Sequence, residues 1–369
     1  MASKLSLLTE VTLAGDLLLK NRVALAPLTR GRCGRSQVPT PIVAEYYTQR
    51  ASAGLLITEA TVISKQGMGW AGAGAIYTPE QVEGWKGVTK SVHAKDGKIF
   101  CQLWHQGRVT SSCFHGLQPV SASAIAATGQ ATDYDGSKHP FEVPRALETD
   151  EIAGVVEEYL TAARNAKEAG FDGVEIHAAN GYFLDQFLQT VSNKRTDRYG
   201  GSKENRFRIL AEVVEAVKQV FPSTRIGVRL SPNGAFNSMG SADNFDVFTY
   251  YISELNKLNL GYLHLMDGLG FGFHGLCKQM KLADARKVFD GVIMGNVGYE
   301  KLTAEGAILS GAADMIAFGR PYIANPDLVE RFQNDWPLAT GDHATYWTYE
   351  NFPDGDASQG YTDYPVYKA

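Results

Sequence analysis

The chain reads as α/β, a (β/α)8 TIM barrel with an N-terminal hairpin and extended βα loops. Three observations predict it. Eight short apolar, β-branched-rich runs recur along 369 residues, and their near-continuous hydrophobicity suits parallel strands covered on both faces. Segments of helical period separate them, the alternation of a parallel α/β fold. No linker, charge block or low-complexity stretch divides the chain, so residues 1–369 are taken as a single barrel domain. An open, doubly wound sheet is the alternative architecture.

Taken in order, Leu7–Leu19 with Gly15-Asp16 as its turn reads as a hairpin able to plug the lower end of the barrel. The strands are expected at Arg22–Leu28, Gly54–Glu59, Lys98–Trp104, Gly173–His177, Arg225–Leu230, Tyr262–Met266, Gly291–Gly295 and Met315–Gly319. Two of the helices are placed by their ends. One is Thr149–Ala169, opened by a Thr149/Asp150 cap; the other is Lys203–Val220, stopped by Pro222.

Composition narrows the function. Hydrophobic residues make up 44% and charged residues 20%, with a net charge of −5. That affords a large core and, without any Lys/Arg run, argues against nucleic acid or an anionic membrane as partner. Cys33, Cys101, Cys113 and Cys277 are scattered with no C-x-x-C pair, so neither a disulfide framework nor a metal site is expected, and a reducing compartment is. No signal-peptide core or spanning apolar run is seen, making a cytoplasmic location the expectation. Monomer and homodimer both remain open.

Barrel enzymes place their chemistry at the carboxyl ends of the strands. Those ends carry Pro27-Leu28-Thr29, Glu59-Ala60, Gln102 with Trp104, His177 with Asn180, Arg229, Asp267, Gly295-Asn296 and Gly319-Arg320. Most are uncharged donors or glycines, with two arginines, an unusual lining for a hydrolase. Strand one lacks the His-x-His of a metal-dependent amidohydrolase, and strand six lacks a terminal lysine for Schiff-base chemistry.

The fourth run ends in His177-Ala178-Ala179-Asn180-Gly181-Tyr182. Imidazole and carboxamide can hold a carbonyl oxygen, and a phenol of ordinary pKa ~10 keeps its proton at neutral pH. This set suits polarising an enone and protonating it, although a strand-end histidine alone is more often structural. Gly295-Asn296 and Gly319-Arg320 each join a glycine to a donor, and Asn325-Pro326 is expected to open a short helix. Phosphate binding is the reading of these two loops. Gly270-Phe271-Gly272-Phe273-His274-Gly275 fits G-x-G-x-x-G, but Asp290 precedes a strand where a dinucleotide fold needs an acid after one. These glycines read instead as a loop over the site. Glu175 and Asp172 read as solvated or capping groups, and Cys33 as an inert small hydrophobe.

The segment His177–Arg206, with Asp185-Gln186-Phe187-Leu188, Ser192-Asn193-Lys194-Arg195-Thr196-Asp197 and Tyr199-Gly200-Gly201-Ser202, closely resembles the Old Yellow Enzyme family. So do Ala26–Arg30, Gln102–Arg108, Phe318–Pro321 and Gly360–Pro365, and the match spans essentially the whole chain in order. The 12-oxophytodienoate and N-ethylmaleimide reductases look nearest. The resemblance implies FMN and NADPH (or NADH), with reduction of activated C=C bonds in a small-molecule enone. Nitro compounds, nitrate esters or quinones are the alternative acceptors, and a flavin-free phosphosugar isomerase or lyase remains a further alternative.

Carried over by position, the resemblance puts Thr29 at the flavin O4, with Gln102 and Arg229 at its pyrimidine edge. Pro27, Ala60 and Tyr346 would lie beside the ring, and Gly295, Asn296, Gly319 and Arg320 would hold the phosphate. His177 and Asn180 would grip the substrate carbonyl, Tyr182 would protonate Cα, and Trp104 and Trp347 would border the substrate. Three departures bear on substrate preference. Trp347 takes the second place of an aromatic pair, Thr348–Gln359 is longer than usual, and Asp267 with the glycines after it replaces a Glu-Pro-Arg turn.

Overall fold

The computed structural model describes residues 5–347 and 357–368. Eight parallel strands close into a barrel, each paired with its sequence neighbours and the eighth with the first. They are Val23–Leu25, Leu55–Val62, Ile99–Trp104, Gly173–Ala178, Ile226–Leu230, Tyr262–Met266, Ile293–Asn296 and Met315–Phe318. Every run expected to be a strand is one, and the closed barrel replaces the open-sheet alternative. The second strand runs on past the expected Glu59 to Val62, through an irregularity between Ile57 and Ala60 that shifts its register against the third strand.

Alternation along the strands sorts the core into two shells. On the fourth strand Val174, Ile176 and Ala178 join the helix-facing core. Gly173, Glu175 and His177 therefore face the barrel axis. Register then builds interior layers: Gln102 lies opposite Glu175, and Arg229 lies opposite both His177 and His264. The bottom is apolar. Phe100, Tyr262, Met294 and Met315 pack there with Leu13, Leu17 and Leu19 of the N-terminal hairpin, whose strands are Val11–Leu13 and Leu17–Leu19. The hairpin plugs the barrel as its sequence implies.

Helix positions follow the periodicity, with corrections at the ends. Ile152–Glu168 starts after Glu151 with no side-chain cap, so Thr149 and Asp150 lie outside it. Thr149 instead bonds Asp197, and Asp197 is gripped by Arg195. Lys203–Val217 is capped by Ser202, whose side chain accepts from the Asn205 N–H, and ends five residues before Pro222. After strand eight, Arg320–Ala324 forms directly behind Gly319. The next helix, Leu328–Asn334, begins after Asp327 and not at Asn325. Asn325 is buried and tethers Pro321 and Ala339. The long connection after strand three carries a small hairpin, Gln130–Thr132 against Lys138–Pro140. It forms part of one wall above the strand ends.

Candidate active site

Strand four delivers the central cluster. Beyond Ala179 the chain turns through two consecutive left-handed residues, Asn180 (φ 59°) and Gly181 (φ 73°). Their backbone groups are fully committed. Asn180 N donates to Ser231 Oγ (2.7 Å), Gly181 N to Asp185 Oδ2 (2.8 Å), and Gln186 Nε2 to the Gly181 carbonyl (2.8 Å). From the other side Asn237 Nδ2 donates to the Asn180 carbonyl (2.8 Å). The turn swings Tyr182 back over the barrel mouth.

There the Tyr182 ring meets Trp104 edge-on (centroids 4.9 Å apart) and His177 likewise (5.2 Å), while Trp104 and His177 lie nearly parallel at 6.4 Å. His177 Nδ1 and Trp104 Nε1 are buried and have no hydrogen-bond partner among the described residues. Burial, with Arg229 and His264 nearby, drives the proton affinity of His177 well below that of an ordinary imidazole. It is therefore neutral and offers one N–H. Burial pushes the Tyr182 phenol up to about 12, against small opposing effects of Asn237 and Arg229. Both groups stay in these states throughout the neutral range.

A cleft of about 430 Å³ opens beside this cluster, bordered by Pro27, Thr29, Asn180, Tyr182, Arg229 and Asn296 on one flank. Gly319, Arg320, Tyr346 and Trp347 complete the other. The fold thus brings together most of the expected site residues. Ala60 and Gln102 are buried just behind, 5% and 1% exposed. Gly295 faces outward, since a Cβ there would meet Leu282, Ile316 and the Tyr299 hydroxyl within 3.2 Å. Gly295 itself is not among the residues bordering the cleft. Asn296, on the inner face, spends its amide on the Ala317 carbonyl (2.8 Å) and accepts from Arg229 Nη2 (2.8 Å). Arg229 Nε is buried without a partner among the described residues. Arg320 is exposed in the cleft wall and forms no ion pair among them.

These residues fit a flavin mononucleotide. A planar heterocycle with a polar edge suits a slot lined by an unsatisfied guanidinium N–H and a threonine. An exposed arginine next to backbone at Gly298 and Gly319 suits a phosphate.

A second, larger cavity of about 790 Å³ adjoins the cleft and shares Trp70, Tyr182, Phe236, Phe271 and Trp347 with it. Its far wall includes Gly129–Thr132 and Phe141 from the small hairpin. Trp347 is 40% exposed and packs edge-on against Tyr346; Tyr346 itself is anchored by Arg30 Nε on its carbonyl (2.8 Å). Of the long stretch expected to matter for substrates, Thr348–Asp356 lies outside the described residues. The glycine-rich loop does border the cleft, through Gly270 and Phe271.

Several functional neighbours were not legible. Glu175 is fully buried in the barrel interior, so reading it as solvated or capping is overturned. It accepts from Gln102 Nε2 (2.7 Å) and pairs with His264 Nδ1 (2.9 Å). Inward alternation from His177 would have revealed it. Asp172 does cap, accepting from Ile99 N. Asp267 holds the loop after strand seven, accepting from the Tyr299 hydroxyl (2.7 Å) and Asn296 N (3.2 Å). Asp185, Ser231 and Asn237 brace the turn, and no motif marks Ser231 or Asn237. Cys33 is buried with its thiol pushed well up, an inert group as expected. The scattered cysteines hide one grouping: Cys113, Asp133 and His139 each place a ligand atom within 4.8 Å of the others. Three ligands fall short of a closed tetrahedral shell.

Among the described residues no helix is long and apolar enough to cross a membrane. Residues 11–339 match the model of the NADH:flavin oxidoreductase / NADH oxidase family. A probable flavin mononucleotide-dependent alkene reductase of Leishmania infantum is 44% identical over 361 residues, covering 96% of this chain and 95% of that one. The 12-oxophytodienoate reductase 1 of Oryza sativa subsp. japonica is 41% identical over 374 residues, covering 99% and 94%. Among solved structures, the old yellow enzyme homologue from Zymomonas mobilis superposes with a TM-score of 0.92 at 44% identity, covering 98% of this chain and 100% of its own. Morphinone reductase in complex with tetrahydroNAD gives 0.90 at 43%, covering 98% of each. With a closed parallel barrel, an FMN-shaped cleft at its carboxyl end and relatives matching from end to end, the chain belongs to the NADH:flavin oxidoreductase / NADH oxidase family and is an FMN-dependent oxidoreductase of the Old Yellow Enzyme type.

Proposed function

We propose that the protein is an ene-reductase that uses NADPH or NADH to reduce the activated C=C bond of α,β-unsaturated carbonyl compounds. The observation that carries this reading is a carboxamide and a protonated phenol from one strand end bordering one cleft, with a neutral imidazole packed against the phenol. Bound FMN would supply the hydride chemistry that links the nicotinamide to the alkene β-carbon. Thr29, Gln102 and Arg229 would hold its ring, with Pro27, Ala60 and Tyr346 beside it. Gly319, Arg320 and the backbone at Gly298 would serve the phosphate side, while Asn296 holds Arg229.

The remaining chemistry belongs to the chain. His177 and Asn180 donate to the carbonyl oxygen and stabilise the negative charge that develops there; one such donor is typically worth about 2.7–4 kcal/mol of barrier. Tyr182 supplies the proton to Cα, a role for which a phenol held above pH 10 retains its proton and a nearby enolate supplies the driving force. Trp104 backs both rings, and Trp347 borders the entrance to both cavities.

The test is the visible spectrum of the purified protein, followed anaerobically as NADPH and then cyclohexenone are added. Flavin bands that bleach and then return support the reading. Bands that stay bleached with enone but return with a nitro compound would replace the substrate class. A colourless protein that FMN does not reconstitute would overturn the proposal.

A further inference from the structure

Resting on the reading just given, the inference concerns a group outside the expected site residues. Glu175 occupies the layer directly beneath His177 and Arg229 and is 0% exposed. One carboxylate oxygen accepts from Gln102 Nε2 at 2.7 Å; the other lies 2.9 Å from His264 Nδ1. Burial favours the neutral acid, yet His264, Arg229 and Gln102 together outweigh it and hold Glu175 below the usual carboxylate range. Burial also lowers the proton affinity of His264, against the pull of Glu175. Glu175 is thus a carboxylate set between His264, at hydrogen-bond distance, and Arg229 in the layer above.

Two consequences follow. First, one N–H of Gln102 is committed to Glu175 within their shared layer, which fixes the carboxamide and leaves its carbonyl oxygen and second N–H for another partner. A free carboxamide would rotate between its two faces. Second, Arg229 is not a bare cation. A cofactor that gains negative charge on reduction is attracted by Arg229 and repelled by Glu175 through an interior where charges are weakly screened. A carboxylate so buried is costly unless it is paired and hydrogen-bonded. Its place here accordingly has a use besides packing.

We propose that Glu175 is a positioning residue that presents the Gln102 carbonyl to the cofactor and, by compensating Arg229, holds the reduction potential of the bound FMN down. Both effects act through other side chains, with no contact between Glu175 and substrate.

The decisive variant is Glu175→Gln, which keeps the shape and an acceptor for Gln102 but removes the charge. FMN-loaded parent and variant are titrated against a reference dye to obtain the midpoint potential. The expected result is a rise, with binding of reduced over oxidised FMN favoured by about tenfold, or about 30 mV for a two-electron couple. An unchanged or lowered potential overturns the inference. Glu175→Asp keeps the charge and shortens the arm; its potential should match the parent while FMN is released more readily. An Asp variant whose potential rises overturns the charge argument even if the Gln variant fails to fold. A chain that binds no FMN overturns the functional reading and this one with it. FMN that binds and bleaches with NADPH but shows the parent potential in Glu175→Gln overturns this one alone.

Discussion

Tyr182 and Trp104 meet edge-to-face, ring centroids 4.9 Å apart and planes at 88°. The positive edge of one ring faces the negative face of the other, the favoured arrangement for an aromatic pair. Trp104 ends the third barrel strand, and Tyr182 follows a left-handed turn after the fourth. The contact fixes the phenol against His177.

Replacing Tyr182 with Phe keeps the ring contact and removes the proton. Reoxidation of the reduced enzyme by enone should slow by about 10²–10⁴, the usual contribution of a positioned general acid. Reduction by NADPH should be nearly unchanged. Stopped-flow absorbance separates the halves, and equal slowing of both would remove Tyr182 as the donor.

The protonation states predict a flat pH profile. Burial pushes Tyr182 up to about 12 and holds His177 neutral, so neither changes charge between pH 6 and 9. The rate of reoxidation by enone should show no inflection from either group across that range. A limb near pH 7 that disappears in Tyr182→Phe would contradict the assignment.

Gly181→Ala tests the turn. Its φ of 73° disfavours any side chain, and a Cβ would fall 2.6 Å from Met239 Cγ and 2.8 Å from Asn237 Cβ. The expected cost is about 1–3 kcal/mol in urea unfolding. Enone turnover should fall by more than the loss of folded protein explains, because Asn180 and Tyr182 flank the change.

Asp267 gives stability a pH signature. Burial raises its carboxyl from 3.8 to about 6, against the hydrogen bonds from Tyr299 and Asn296. A folded pKa above the unfolded one means that its stabilising effect is complete below pH 3.8 and lost as pH rises through 6. Asp267→Asn should therefore melt higher than the parent above pH 7, by about 1–3 °C, with the gap closing toward pH 4. The Tyr299 hydroxyl can reverse to accept from the new amide. A gap independent of pH would show that charge is not the cause.

The barrel was readable because its signal is local. A buried parallel strand must be apolar along its whole length, so runs such as Tyr262–Met266 announce themselves. The grouping of His177, Asn180 and Tyr182 was equally legible, since all three sit within six consecutive residues at a strand end. Helix ends were less so. Thr149 and Asp150 look like caps, but Thr149 is drawn to Asp197, 48 residues on.

What the sequence determined by itself is the order of strands and helices, the plugging hairpin and the chemical types gathered at the strand ends. These depend on periodicity and residue type, which act over a few neighbouring positions. Tertiary structure alone decided which of those side chains face each other. It aimed Gly295 outward and Asn296 inward, and it set Tyr182 against Trp104. It also turned Glu175, an ordinary surface-looking acid by composition, into the buried partner of Gln102 and His264. The reason is closure of the barrel. Register between strands far apart in the chain fixes the interior layers, and burial there changes the cost of every charge.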